Sequence, residues 1–81
     1  MEFPADFTMK VFGNTEINLE AIVVAAIRAH KVDVERLHIA ARLSSAGKYT
    51  SLTATFHVES QEQLDSIYRE LSSNPEIIMV L

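Results

Sequence analysis

Ser44-Ser45-Ala46-Gly47-Lys48-Tyr49-Thr50-Ser51 decides the fold. It places a glycine turn between two stretches that alternate with a period of two, the side-chain period of a strand. Before the turn, Leu37, Ile39, Ala41 and Leu43 take one face, while Arg36, His38, Ala40 and Arg42 take the other. After it, Thr50, Leu52, Ala54, Phe56 and Val58 take the inward face, leaving Tyr49, Ser51, Thr53, Thr55 and His57 outward. The two inward sets have opposite number parity. Facing residues must therefore sum to an odd number, because a one-residue slip would turn one whole set outward. A four-residue loop, Ser44 to Gly47, meets that condition with Gly47 left-handed, where a Cβ would be penalised. A two-residue Ala46-Gly47 loop has suitable parity too. It would ask Ala46 for a positive φ, so the longer loop is expected.

Outward from this hairpin, Phe7 to Phe12 alternates and reads as a first strand ended by Gly13, with Phe7, Met9 and Val11 inward. Phe3-Pro4-Ala5-Asp6 is a short lead-in, and Phe3 is expected to anchor that arm. A helix follows from an N-cap at Asn18, stapled by Ile17 and Ile22, with Leu19, Ile22, Val23, Ala26, Ile27 and His30 on one face. The second strand is expected over Glu35 to Leu43. Ser60 and Gln63 form a capping box for a second helix, whose inner stripe is Leu64, Ile67, Tyr68 and Leu71. Asp65 and Arg69 are spaced for a surface pair. Asn74-Pro75 stops this helix. Glu76 to Leu81 is a last strand, apolar on both parities, for which Ile77, Met79 and Leu81 are taken as inward.

The order is β-α-β-β-α-β. Two amphipathic helices and strands with one polar face predict an α+β fold: a four-stranded antiparallel sheet with both helices on one side. Right-handed crossovers make this the ferredoxin-like plait, with strands one and three central. The other sheet face is left open. It carries Thr8, Lys10, Phe12, Arg36, His38, Arg42, Tyr49, Ser51, Thr53, Thr55 and His57, the one concentrated inventory of functional side chains. Phe12 is the anomaly, an aromatic on the polar side.

Composition narrows function. A chain of 81 residues is one domain, too small for a deep active-site cavity. Hydrophobic residues make up 48%, which suits a packed core. Cysteine is absent, excluding disulfides, thiolate metal sites and cysteine nucleophiles, and fitting a cytoplasmic location. No apolar run approaches the ~18–20 residues of a membrane span, and the start lacks the basic flank of a secretion signal. A net charge of −4 opposes attraction to a phosphate backbone, so nucleic acid is not the expected partner. His38 and His57 both point to the open face, not opposite each other, with no acid alongside, a poor metal site. His30 reads as a packed or capping histidine. The acids Glu59, Glu62, Asp65 and Glu70 read as a solvated helix surface. No nucleophilic triad or phosphate loop can be assembled, so neither catalysis nor a cofactor is expected.

Phe3-Pro4, Phe7, Lys10-Val11-Phe12-Gly13, the Ser45-Ala46-Gly47-Lys48-Tyr49-Thr50-Ser51 hairpin and the ending Met79-Val80-Leu81 together resemble the YbeD-like family of small bacterial proteins. The likeness covers nearly the whole chain. It departs in lacking the longer N-terminal arm of some members and in placing Phe12 before Gly13. The resemblance implies a ferredoxin-like domain similar to ACT regulatory domains, a regulator that binds lipoic acid, and no known reaction. By that likeness, the backbone N–H groups of Gly13-Asn14-Thr15 would present themselves to a small ligand such as an amino acid or lipoate. The residues themselves point to an interaction surface at Phe12, Lys48, Tyr49, Ser51 and His57. They suit a protein partner or self-association, with no membrane contact.

Overall fold

The computed structural model describes residues 2–81. Its elements are β1 (Ala5–Asn14), α1 (Leu19–Ala29), a 3-10 turn (Val34–Arg36), β2 (His38–Leu43), β3 (Tyr49–Val58), α2 (Gln61–Ser72) and β4 (Ile77–Val80). The strands form one antiparallel sheet in the order β2-β3-β1-β4. This is the ferredoxin-like plait, with β1 and β3 central as expected.

The inward faces of β1 and β3 supply Met9, Val11, Leu52, Ala54, Phe56 and Val58 to the core. The helices close over them with Leu19, Val23, Ala26 and Ile27 from α1 and Leu64, Ile67 and Leu71 from α2. The Phe7 ring fills a corner between Phe56 and Tyr68, edge-on to both, at centroid distances of 6.5 and 6.2 Å. Phe3 packs against this core and anchors the N-terminal arm.

The caps are those written in the sequence. The Asn18 side chain accepts from the Ala21 amide, and the Ser60 hydroxyl accepts from the Gln63 amide, both at 3.1 Å. The C-terminus of α1 is unusual. The Lys31 amide donates to Arg28 and the Val32 amide to Ile27, a Schellman closure. The left-handed position in it, at φ 63°, is Lys31 rather than a glycine.

Several expected boundaries and facings differ. β1 runs on through Gly13 to Asn14, because β3 pairs with it along its whole length, from Ala5 opposite Val58 to Asn14 opposite Tyr49. Gly13 is thus inside the strand and buried. β2 starts at His38, since the Asp33 side chain caps Val34–Arg36 as a 3-10 turn by accepting from the Glu35 amide at 3.0 Å. The hairpin keeps the required odd sum, with Leu43 opposite Thr50, but its loop lies one residue later than expected. The Ser44 amide donates to the Tyr49 carbonyl at 2.8 Å, leaving Ser45 to Lys48 as the loop. Gly47 is left-handed at φ 69°, as expected, and donates to the Ser44 carbonyl.

Ala41 and Leu43 are exposed, Leu43 at 59%, because no helix covers that end of edge strand β2. In β4, Ile77 is buried, but Met79 is not inward. Gly13 faces Ile77 while Phe12 faces Met79, so Ile78 is an extra residue in the ladder. This bulge moves Met79 to the open face, Phe12's side, and returns Val80 to the core side, opposite Val11. Leu81, also expected inward, is 58% exposed. The expected Asp65–Arg69 pair is replaced by local bonds: Gln61 donates to Asp65 at 2.8 Å and Arg69 to the Ser66 hydroxyl at 3.3 Å.

Candidate functional site on the open sheet face

The ladder turns the open face into rows. Arg42, Ser51, Phe12 and Met79 lie side by side across all four strands. Ala40, Thr53 and Lys10 form the next row, then His38, Thr55 and Thr8. The Thr8 and Thr55 hydroxyls meet at 3.0 Å. At one end of the sheet, the Phe12 and Tyr49 rings pack edge to face with centroids 6.4 Å apart and planes at 63°. Ile78 and Met79 complete a shallow dimple of about 140 Å³ with them. Ile78, Met79 and Tyr49 are 63%, 46% and 44% exposed. Three exposed large apolar side chains therefore gather around the half-buried Phe12. The bulge at Ile78 brings the β4 pair to this spot, and an apolar strand of ambiguous parity gives no sign of it in the sequence.

Gly13-Asn14-Thr15 and the hairpin tip, widely separated in sequence, form one corner. The Thr15 hydroxyl donates to the Gly47 carbonyl at 2.9 Å, and its amide to the Lys48 carbonyl at 3.4 Å. The Asn14 side chain accepts from the Glu16 amide at 2.8 Å, and the Asn14 carbonyl from the Ile17 amide at 3.2 Å. Gly13 lies in the ladder beneath the Ile17 and Leu19 side chains. The amides of Thr15, Glu16 and Ile17 are thus engaged within the chain. The Lys48 amide is likewise turned to the Ser44 hydroxyl at 3.1 Å.

His57 stands apart. It is eight residues along β3 from Tyr49, about 27 Å at ~3.4 Å per residue. It is also not without acids, as the sequence reading had it. Asp6 sits opposite it in the ladder, and its Nδ1 lies 3.1 Å from Asp6 Oδ1. Its Nε2 is 3.5 Å from Glu59 Oε1, and Arg36 reaches Asp6 at 3.9 Å. The two ring nitrogens point in different directions and cannot share one ion, and no group of three metal-ligating side chains occurs among the described residues. Glu59 and Glu70 are not merely solvated either: the His30 Nε2 lies 2.9 Å from Glu70 Oε1.

The fold and this face define a small ferredoxin-like domain with an apolar dimple on its open sheet. The chain matches, over residues 1–81, the model of the family described as "Protein of unknown function (DUF493)", and it belongs to that family. It is 43% identical over 81 residues to a UPF0250 protein of Neisseria gonorrhoeae, covering 100% of this chain and 89% of that one. A UPF0250 protein of Paraburkholderia phytofirmans is 39% identical over 80 residues, covering 99% and 90%. The resemblance to YbeD-like proteins is thereby borne out. Among solved structures, protein HP0495 from H. pylori superposes with a TM-score of 0.81 at 12% identity, covering 100% of this chain and 85% of that one, a likeness of fold. No helix among the described residues is long and apolar enough to cross a membrane.

Proposed function

We propose that this chain is a regulatory interaction domain that acts by binding another protein rather than by catalysis, and that the partner docks on Phe12, Tyr49, Ile78 and Met79. The carrying observation is that these four apolar side chains gather on a solvent-facing sheet surface. Single exposed apolar residues are ordinary, whereas a cluster of this kind marks an interaction site. Aromatic and Met side chains are also the types enriched in interface cores.

A different protein is favoured over a second copy. A two-fold contact sets the same patch against itself. It would place Lys10, on the row beside Phe12, and Arg42, on Phe12's own row, in one contact with the same two cations of the copy. The dimple is also small against the ~1,200–2,000 Å² buried in a stable interface, which suits a transient partner. The lack of cysteine supports a reducing compartment, the cytoplasm, as the place of encounter.

A photo-crosslinking residue at Tyr49, compared with one at the exposed helix position Glu20, tests this in cells. The expected result is one discrete adduct with a different protein from position 49, lost on Phe12→Asp, with the purified chain monomeric by light scattering. Adducts to the chain itself, or equal labelling from both positions, would overturn it.

A further inference from the structure

A second concavity lies on the open face, built from residues that the apolar dimple does not use. Lys10 of β1, Ala40 and Arg42 of β2, and Ser51 and Thr53 of β3 enclose about 360 Å³. The register explains the grouping. Thr53 lies between Ala40 and Lys10, and Ser51 between Arg42 and Phe12. Two cations therefore flank the central strand from opposite sides, over a floor of two half-buried hydroxyl residues. The single methyl of Ala40 leaves the space open.

Neither cation has an acid partner among the described residues. Arg36 is the one Lys or Arg among the described residues that lies within salt-bridge distance of an acid, so what sets Lys10 and Arg42 apart is that they line one concavity together. Asp6, on the same face of β1 as Lys10, is engaged with Arg36 and His57 at the other end of the sheet, and Glu59 with His57. Two strand spacings of ~4.8 Å and an offset of two residues along the strand, at ~3.4 Å each, separate the backbones of Lys10 and Arg42 by about 12 Å. Their long side chains can close on one group held between them. The guanidinium offers paired N–H donors, the ammonium a point charge and the two hydroxyls further donors.

We propose that the pocket binds the carboxylate or phosphate group of a small-molecule anion. Arg42 supplies the directed hydrogen bonds, Lys10 the second charge, and Ser51 and Thr53 the contacts to the remaining oxygens. The site stands on cations and hydroxyls and is independent of protein docking at Phe12.

Amide spectra of the full isotope-labelled chain, titrated with citrate and separately with pyrophosphate against sodium chloride of matched ionic strength, test it. The expected result is saturable shifts centred on Lys10, Ala40, Arg42, Ser51 and Thr53 with at least one anion. Which anion saturates first tells carboxylate from phosphate. Arg42→Gln and Lys10→Gln should each weaken binding about tenfold, the loss of one charge-assisted hydrogen bond, with the spectrum still dispersed. Shifts that match the salt control, lie elsewhere or survive both substitutions overturn the proposal. An oligonucleotide that moves the same amides at far lower concentration than either anion overturns it in favour of nucleic acid.

Discussion

Phe12 on β1 and Tyr49 on β3 meet ring edge to ring face across a diagonal of the sheet, with centroids 6.4 Å apart, on the side away from both helices. The pair holds the dimple's wall in place. Such pairs contribute about 0.5–1.5 kcal/mol beyond their buried area, and exposure puts this one at the low end. A double-mutant cycle of Phe12→Ala and Tyr49→Ala in urea should return a coupling near ~0.5 kcal/mol. Phe56→Ala, inside the core, should cost ~3–5 kcal/mol. A loss of that size from Phe12→Ala would make Phe12 a structural residue and leave the interaction reading without its anchor.

The two glycines are required for different reasons, and one pair of substitutions separates them. A Cβ on Gly47 would meet nothing within 4 Å, but the residue sits at φ 69°. A Cβ on Gly13 would lie 3.0 Å from both Ile17 Cδ1 and Leu19 Cδ1. Gly47→Ala should cost about 1 kcal/mol through backbone strain, and Gly47→Asn should recover most of it, since Asn tolerates the left-handed region. Gly13→Ala should cost ~1–3 kcal/mol through overpacking, and Gly13→Asn should be worse. Denaturant midpoints check both. If Asn rescues position 13 and fails at position 47, the two assignments are reversed.

Lys31 carries the opposite prediction. It is a side-chain-bearing residue in the left-handed position of a helix C-cap, at φ 63°. Left-handed geometry costs roughly 1 kcal/mol for such a residue, and glycine removes that cost while adding freedom to the unfolded chain. Lys31→Gly should therefore stabilise the protein by a net ~0.5 kcal/mol, read as a higher thermal midpoint. A lower midpoint would mean that the Lys31 side chain makes a stabilising contact that outweighs the strain.

Periodicity sufficed for the core because β1, β3 and both helices each have one apolar face. It failed where that contrast disappears. Ile77 to Leu81 is apolar throughout, so nothing in the residue pattern announces the extra residue Ile78, and with it the facing of Met79. Ala41 and Leu43 do keep the inward parity of β2, but parity says nothing about whether a helix reaches far enough to cover them. Asp6 falls in the lead-in when the alternation is begun at Phe7, and that late start hides the acid opposite His57. Lys10 and Arg42 were both legible as outward cations, but their shared pocket depends on the exact pairing of three strands.

Two side-chain contacts tie the end of α1 to α2, His30 to Glu70 and Gln63 to the His30 carbonyl, and substitution of Gln63 tests how much the second adds. Gln63 accepts from the Glu59 amide through Oε1 and donates to the His30 carbonyl through Nε2, each at 2.8 Å. The first bond satisfies a free donor before α2; the second ties that point to the end of α1. Gln63→Met keeps the volume and removes both, for an expected loss of ~1–2 kcal/mol at ~1 kcal/mol per bond. Gln63→Glu keeps the acceptor that the Glu59 amide needs but turns a carboxylate towards the His30 carbonyl, so it should lose about half as much or more. Gln61→Met, which removes only the exposed bond to Asp65, should stay within ~0.5 kcal/mol of the parent. Equal urea midpoints for the position 61 and 63 variants would show that this polar tie contributes nothing to holding the helices together.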